Sequence, residues 1–447
     1  MKFKKILTTA IIAAISLSLS FPTVSMAATS NKWLKGHSKE IKSLTSNDYE
    51  DLEFLRATLK DKTVVSLGEN FHRVAEYSAL KTRLIKYLHE QLDFDVIAFE
   101  SGLGECATVS EDANSLTSAQ MMENSIFPIW HSKETLGLFD YIKNQSKTNK
   151  PLHLAGYDMQ PTSSYFTDFM CNWLSKIDKT YAKNYAVFEV EYIESFYSVY
   201  LKYGEESYTH MDELNEIKAK YEPKYIDLIR FINVNKDKLA AIYPSNPHII
   251  DIAKKTLSDR IKFIEMAMLD SRTSYEFRDK IMAENVEWIM NVLYPGKKVI
   301  LWAHNDHLAK STSKILAKEN GKWINSFTSM GELLNKKLKD KMYVLGLYMN
   351  SGNACTITTQ KNFNIDPMPH GSLENLIMNS GYKNTFVDLS KHKTEDKYNS
   401  WMFNPIFAAE DGMTSEIIAP MSMMFVPKDQ YDGIIVIDKV NAPNINY

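Results

Sequence analysis

Apolar positions along this chain recur with two different periods, and the switch between them outlines the fold. Thr63-Val64-Val65-Ser66-Leu67 is a short apolar run ending at Gly68 and reads as a buried strand. Glu76 to Leu92 then places apolar residues at 77, 80, 84, 87, 88 and 92, the spacing of one helix face. Asp95-Val96-Ile97-Ala98-Phe99 predicts a second strand, Leu138 to Gln145 a helix, and Leu152-His153-Leu154-Ala155 a third strand closed by Gly156. Strands alternating with helices predict parallel pairing through right-handed crossovers, with the second strand, which Glu100 follows, beside the first. From Tyr165 to Leu293 the pattern contains no strand. Tyr192 to Tyr203, Asp212 to Asn233 and Ile250 to Asp270 predict amphipathic helices, whose aromatic stripes read as core. The alternation resumes with Lys298 to Ala303 after the turn Pro295-Gly296. Further strands are predicted at Tyr343 to Tyr348, Cys355 to Thr358, Thr385 to Leu389 and Gly433 to Ile437.

The predicted fold is therefore α/β: a mostly parallel central sheet flanked by helices, with a large all-helical insertion covering the C-terminal edge of the strands. Residues 28–164 and 294–447 form the α/β part, and 165–293 the insertion. Residues 1–27 have a separate character. Lys2, Lys4 and Lys5 precede an apolar run from Ile6 to Leu19, and Ser25-Met26-Ala27 supplies small residues for cleavage. This is the pattern of a secretory signal peptide cut after Ala27, so a secreted mature chain beginning at Ala28 is expected. An uncleaved anchor is the alternative, but the apolar run is short for a membrane span. No stable membrane insertion is expected after cleavage.

Removing the leader takes away three Lys and no Asp or Glu, so the formal charge moves from −3 to −6. Such a chain is a poor partner for nucleic acid or an anionic membrane. Cys106, Cys171 and Cys355 are few, odd in number and widely spaced, which argues against a disulfide framework or a zinc ribbon. Three buried thiols are the simpler expectation, and one pair plus a free thiol the other.

Ligands of open α/β sheets bind beyond the carboxyl ends of the strands. Here the residues that follow the strands are chemical. Gly68-Glu69-Asn70-Phe71-His72 follows the first, Glu100-Ser101-Gly102 the second, Gly156-Tyr157-Asp158 the third, and His304-Asn305-Asp306-His307 the strand after the insertion. A lone His after a strand is more often structural. Four strands delivering acids and imidazoles to one edge form a candidate catalytic set. A carboxylate beside an imidazole fixes its tautomer and supports the imidazolium that forms, so the pair can serve as a general base toward water. A second, protonated His could stabilise an oxyanion or protonate a leaving group. No G-x-S-x-G, H-E-x-x-H, Walker A or G-x-G-x-x-G pattern occurs, which disfavours a serine nucleophile and a nucleotide cofactor. A metal stays open, because Glu69 and His72 are ligand types. On the helix before the fourth site strand, Arg278, Met282 and Asn285 share one face, with Asp279 beside Arg278. Arg278 there could pair with a site glutamate or bind a substrate oxygen.

These stretches resemble the erythromycin esterase family, some of whose members are labelled succinoglycan biosynthesis proteins. The resemblance is carried by Leu67 to His72 with Glu76-Tyr77, by Ala98-Phe99-Glu100, by Gly156-Tyr157-Asp158, and by Arg278-Asp279 with Met282 to Asn285. It continues through Trp302 to His307, Ser329 to Leu334 and Tyr431-Asp432-Gly433. It implies ester hydrolysis by activated water on a small-molecule substrate, without a cofactor. It places the base at His72, with Glu69, Glu100 and His304 in support; the candidates for contacting the substrate are Lys81, Arg278, Asp158 and His307. In one branch of the family an important Arg lies on the first helix; the aligned position here is Lys81, with Arg83 two residues on. Lys keeps the charge and loses the planar fork. Two other readings remain: a metal-dependent hydrolase using the same residues, and a non-enzymatic extracellular protein of exopolysaccharide biosynthesis.

Overall fold

A computed structural model describes residues 32–319, 321–410 and 416–447. The expected leader, 1–27, lies outside the described residues. The strands are β1 (Ser38–Glu40), β2 (Val64–Leu67), β3 (Phe94–Gly102), β4 (His153–Asp158), β5 (Lys298–Trp302), β6 (Leu316–Glu319), β7 (Lys322–Asn325), β8 (Met342–Cys355), β9 (Asn362–Ile365), β10 (Asn384–Asp388), β11 (Ile406–Glu410), β12 (Ala419–Phe425) and β13 (Gly433–Val440). The main sheet runs β1-β10-β13-β8-β2-β5-β3-β4, with β9 added along β8. The six strands from β13 to β4 are parallel to one another, while β10 pairs antiparallel with β13 and with β1, and β9 antiparallel with β8. A mostly parallel sheet is thus present, as expected.

The principal helices are α1 (Ala75–Leu92), α2 (Leu103–Glu111), α3 (Lys133–Gln145), α4 (Tyr165–Leu174), α5 (Lys179–Tyr203), α6 (Met211–Val234), α7 (Ile249–Ala267), α8 (Ser271–Trp288), α9 (Asn305–Leu308), α10 (Met330–Leu338) and α11 (Leu373–Met378). They cover both faces of the sheet, which is why its strands are apolar throughout. In β5, Ile300 and Trp302 join Leu80, Leu84 and Phe139 of α1 and α3, whereas Val299 and Leu301 join Met282, Val286 and Leu334 of α8 and α10. The alternation of side chains along a strand sorts consecutive residues into these two cores. Between β4 and β5 every regular element is helical, and α4 to α7 have their own aromatic core of Trp173, Tyr185, Tyr192, Tyr225 and Phe263. None of the described helices is long and apolar enough to cross a membrane.

Three sequence expectations need correction. Tyr343–Tyr348 and Cys355–Thr358 are not two strands. β8 is one strand of 14 residues, and the chain turns after Cys355. The strand carrying Glu100 is not beside the first, because β5 enters between β2 and β3 and pairs with both. The three cysteines are unpaired, but Cys171 on α4 is only half-buried.

Candidate active site

The order β2-β5-β3-β4 gathers the loops that follow these four strands at one edge of the sheet. Gly68 begins the first loop. A Cβ there would come within 2.0 Å of Asn305 Oδ1 and 3.3 Å of the Leu345 carbonyl oxygen, so only glycine lets the loops after β2 and β5 approach this closely. They are then tied together by Asn305 N–H donating to the Glu69 carbonyl at 2.8 Å, while Asn70 N–H donates to Leu347 O at 3.1 Å.

His72 and Glu69 form the first pair. His72 Nδ1 lies 2.7 Å from Glu69 Oε1. A carboxylate can only accept, so the ring proton sits on Nδ1 and the lone pair on Nε2. The His72 side chain is 14 % exposed, against 2 % for Glu69, so the imidazole alone of the two reaches solvent. Glu69 also accepts from Trp130 Nε1 at 2.6 Å and from Lys81 Nζ at 2.7 Å. Burial alone would raise the Glu69 carboxyl, but Lys81 and His72 outweigh it and hold the group down to about 2. Lys81 is therefore not at a position to touch a substrate. It is fully buried on α1, bonded to Glu69 and 4.6 Å above the Trp302 ring, and its flexible stem reaches where a single charge suffices. Arg83 faces the other way, to Asp51 and the Ser43 and Ser46 carbonyls.

A second cluster surrounds Arg278 on α8. Its Nη2 donates to Glu100 Oε1 at 2.8 Å, and its Nε donates to Asp158 at 3.1 Å. Of its two expected roles, the pairing with site carboxylates is the one formed, and Asp158 is consumed by it. Arg278 also lines one end of a cavity of about 310 Å³ bounded by Phe196, Tyr197, Tyr200, Phe263 and Tyr275 of α5, α7 and α8. His307 bridges Asp279 and Glu100: its Nδ1 is 2.9 Å from Asp279 Oδ2 and its Nε2 3.2 Å from Glu100 Oε1. Burial disfavours its charge, yet Asp279 and Glu100 raise it to about 9, so His307 is the imidazolium of the site. Glu100 is correspondingly held down to about 2: burial pushes it up, and His307 and Arg278 overcome that.

His304 lies between the two clusters, its ring 5.1 Å from that of His72. Burial first, and then His72, push it down to about 3. His304 is consequently neutral, not the protonated second histidine expected from sequence. Its Nδ1 accepts from Asp306 N–H at 3.3 Å, which leaves the proton on Nε2, 3.7 Å from Glu410 Oε2. Its own backbone N–H donates to Glu100 Oε2 at 3.2 Å.

Sequence reasoning missed Glu410 and Trp130. Glu410 ends β11, in the small sheet β11-β12-β6-β7; the short apolar run Ile406 to Ala409 before it was the available signal and was not assigned as a strand. Trp130 ends a short 3₁₀ turn, where an indole reads as core until its partner is visible. Asp279 was noticed only as a neighbour of Arg278, although the i, i+1 pair serves two different partners.

The ionised pairs make stability depend on pH. Glu69 and Glu100 have about 2 in the fold against an ordinary 4.5, so their contribution is present above pH 4.5 and is lost as pH falls toward 2. His307 has about 9 against 6.5, so its contribution is complete below pH 6.5 and is lost as pH rises through 9. Urea midpoints measured across pH are expected to peak between 4.5 and 6.5 from these three groups. A midpoint still rising at pH 9 would contradict the charged Glu100–His307–Asp279 arrangement.

Comparison with known proteins identifies the family. The erythromycin esterase family model matches residues 89–440. The chain is 32 % identical over 441 residues to "Putative hydrolase YbfO" of Bacillus subtilis (strain 168), covering 94 % of each, so that match extends to the His72 loop. It is 23 % identical to erythromycin esterase type II of Escherichia coli, over 83 % of this chain and 95 % of the relative. Among solved structures, a succinoglycan biosynthesis protein superposes with a TM-score of 0.72 at 17 % identity, over 95 % of this chain and all of the other. A mutant of the erythromycin esterase EreC in its open conformation gives 0.59 at 17 % identity, over 92 % and all of the other. With this family model spanning most of the chain, and a buried Glu–His pair at its strand ends, the protein belongs to the erythromycin esterase family and is a hydrolase.

Proposed function

We propose that this protein is an exported enzyme that hydrolyses a carboxylic ester or macrolactone with water activated by His72. The observation that carries the reading is the Glu69–His72 pair: Nδ1 is bonded to a carboxylate that Lys81 and Trp130 also hold, and Nε2 keeps its lone pair. His72 Nε2 takes the proton of a water molecule as its oxygen attacks the ester carbonyl, and Glu69 stabilises the imidazolium that results. His304, neutral with its proton on Nε2, donates to the developing oxyanion. Arg278, Asp158, Glu100 and His307 form the charged wall that fixes His304 through its backbone. The cavity bounded by Tyr197, Tyr200 and Tyr275 receives the rest of the substrate, with the helical layer as its cover. Export rests on the leader-like sequence of residues 1–27.

The site carboxylates are already paired by Lys81, Arg278 and His307, which favours imidazole over a bound cation as the activator. Hydrolysis of an ester and macrolide panel, read by mass spectrometry as the gain of one water, is therefore expected to proceed unchanged in EDTA. Activity abolished by EDTA and restored by one particular divalent ion would replace this mechanism with a metal-dependent one.

A further inference from the structure

We propose that Asp306 is the acid that protonates the departing alkoxide; the assignment rests on the hydrolysis inferred above. Asp306 stands in α9 between His304 and His307 and is 6 % exposed. Its Oδ2 lies 3.7 Å from His304 Nδ1, and its backbone N–H is the donor that fixes that ring. The other site carboxylates are committed. Glu69 accepts from His72, Lys81 and Trp130; Glu100 accepts from Arg278 and His304 N–H; Asp158 accepts from Arg278; Asp279 accepts from His307 and from Met330 N–H at 2.7 Å. The Asp306 carboxyl has no such donor among the described residues. A buried carboxylate without a donor loses its hydration for nothing, and it relieves that cost by keeping a proton.

The groups facing it agree. Burial raises the Asp306 carboxyl to about 6; His307 opposes, Asp279 and Glu100 add, and His72 opposes. Tyr431 also lies within its field. The remaining candidates for a proton donor are less suited. Glu69 and Glu100 are ionised at about 2, and the protons of His307 face Asp279 and Glu100. The Nε2 proton of neutral His304 is too weakly acidic to be given up, though it makes a good hydrogen bond.

The step balances as follows. The water oxygen bonds to the acyl carbon, and His72 Nε2 takes a water proton. The ester C–O bond then breaks with its electron pair on the alkoxide oxygen, which receives the Asp306 proton. One net proton passes through solvent from the His72 imidazolium to the Asp306 carboxylate and resets the site.

A paired-substrate comparison tests this, using p-nitrophenyl butyrate and ethyl butyrate with the whole protein. Nitrophenolate leaves without protonation, whereas ethoxide needs an acid. Asp306→Asn is expected to lower kcat/KM for the ethyl ester by about 100-fold, within the usual range for acid catalysis, and to change the nitrophenyl ester by under about threefold. A purely structural role would lower both alike, and that outcome, or no loss on either, overturns the assignment while leaving His72 in place. A wild-type protein inactive on both esters, and on the wider panel, removes the ester reading and the acid with it. Independently of turnover, an infrared difference between pH 5 and pH 8 is expected to show protonated carboxyl intensity from Asp306 and from Glu374, which burial pushes up to about 7; Asp306→Asn removes the first component and Glu374→Gln the second. A difference spectrum that Asp306→Asn leaves unchanged also overturns the assignment.

Discussion

His72→Ala is expected to lose at least about a hundred- to ten-thousand-fold in kcat while keeping its fold, because the variant removes the base and leaves the wall of the site standing. Several features separate this from a packing effect. The His72 side chain is the more exposed member of its pair, and its hydrogen-bond partner among the described residues is Glu69. Glu69 still has Lys81 and Trp130 when the imidazole is gone, so no buried charge is orphaned. Circular dichroism and the urea midpoint should therefore stay close to wild type. His304→Ala is expected to cost about 2 to 4 kcal/mol of transition-state stabilisation, as for loss of an oxyanion donor. The measurement is steady-state kinetics on a confirmed ester with both variants. A folded His72→Ala protein with near wild-type kcat removes His72 from the chemistry.

The second large effect concerns stability. Arg278→Met should destabilise the fold by about 3 to 5 kcal/mol, the usual penalty for breaking a buried ion pair from one side. Arg278 stands between Glu100 and Asp158, and His307 is left to balance Glu100 while Asp158 keeps no cation. Replacing Asp158 by Asn in the same chain restores part of the balance, so the double variant should be more stable than Arg278→Met alone. Equal midpoints for the two, by urea unfolding, would show that the Arg278–Asp158 bond carries little.

The parallel sheet was legible because strands buried on both faces must be apolar runs, and β2, β3 and β5 are. The charged residues after them were legible as a set, since strand order brings carboxyl ends together whatever the loops do. β6 and β7 were not. Lys-Trp-Ile-Asn is exposed at all four positions, so burial imposed no alternation that a reader could detect. The roles of the site residues were harder to read than their places. Whether Lys81 meets solvent or Glu69 depends on the face α1 turns to the sheet, and the charge state of His304 depends on burial and on His72, neither of which spacing encodes.

The central place of β5 has a consequence for how the chain reaches this state. β2 pairs with β5 from Val64 to Val299, roughly 230 residues later, and contacts at such separation slow folding. An N-terminal fragment ending after β4 would hold β2 and β3 with a missing strand between them, each presenting an unsatisfied edge. On the mechanism proposed above, no early fragment of the chain is active, since His304 follows β5. A chain that emerges N-terminus first must keep that slot open and apart from other chains until the helical layer has passed, so a holdase or a slow late step is expected to govern its yield.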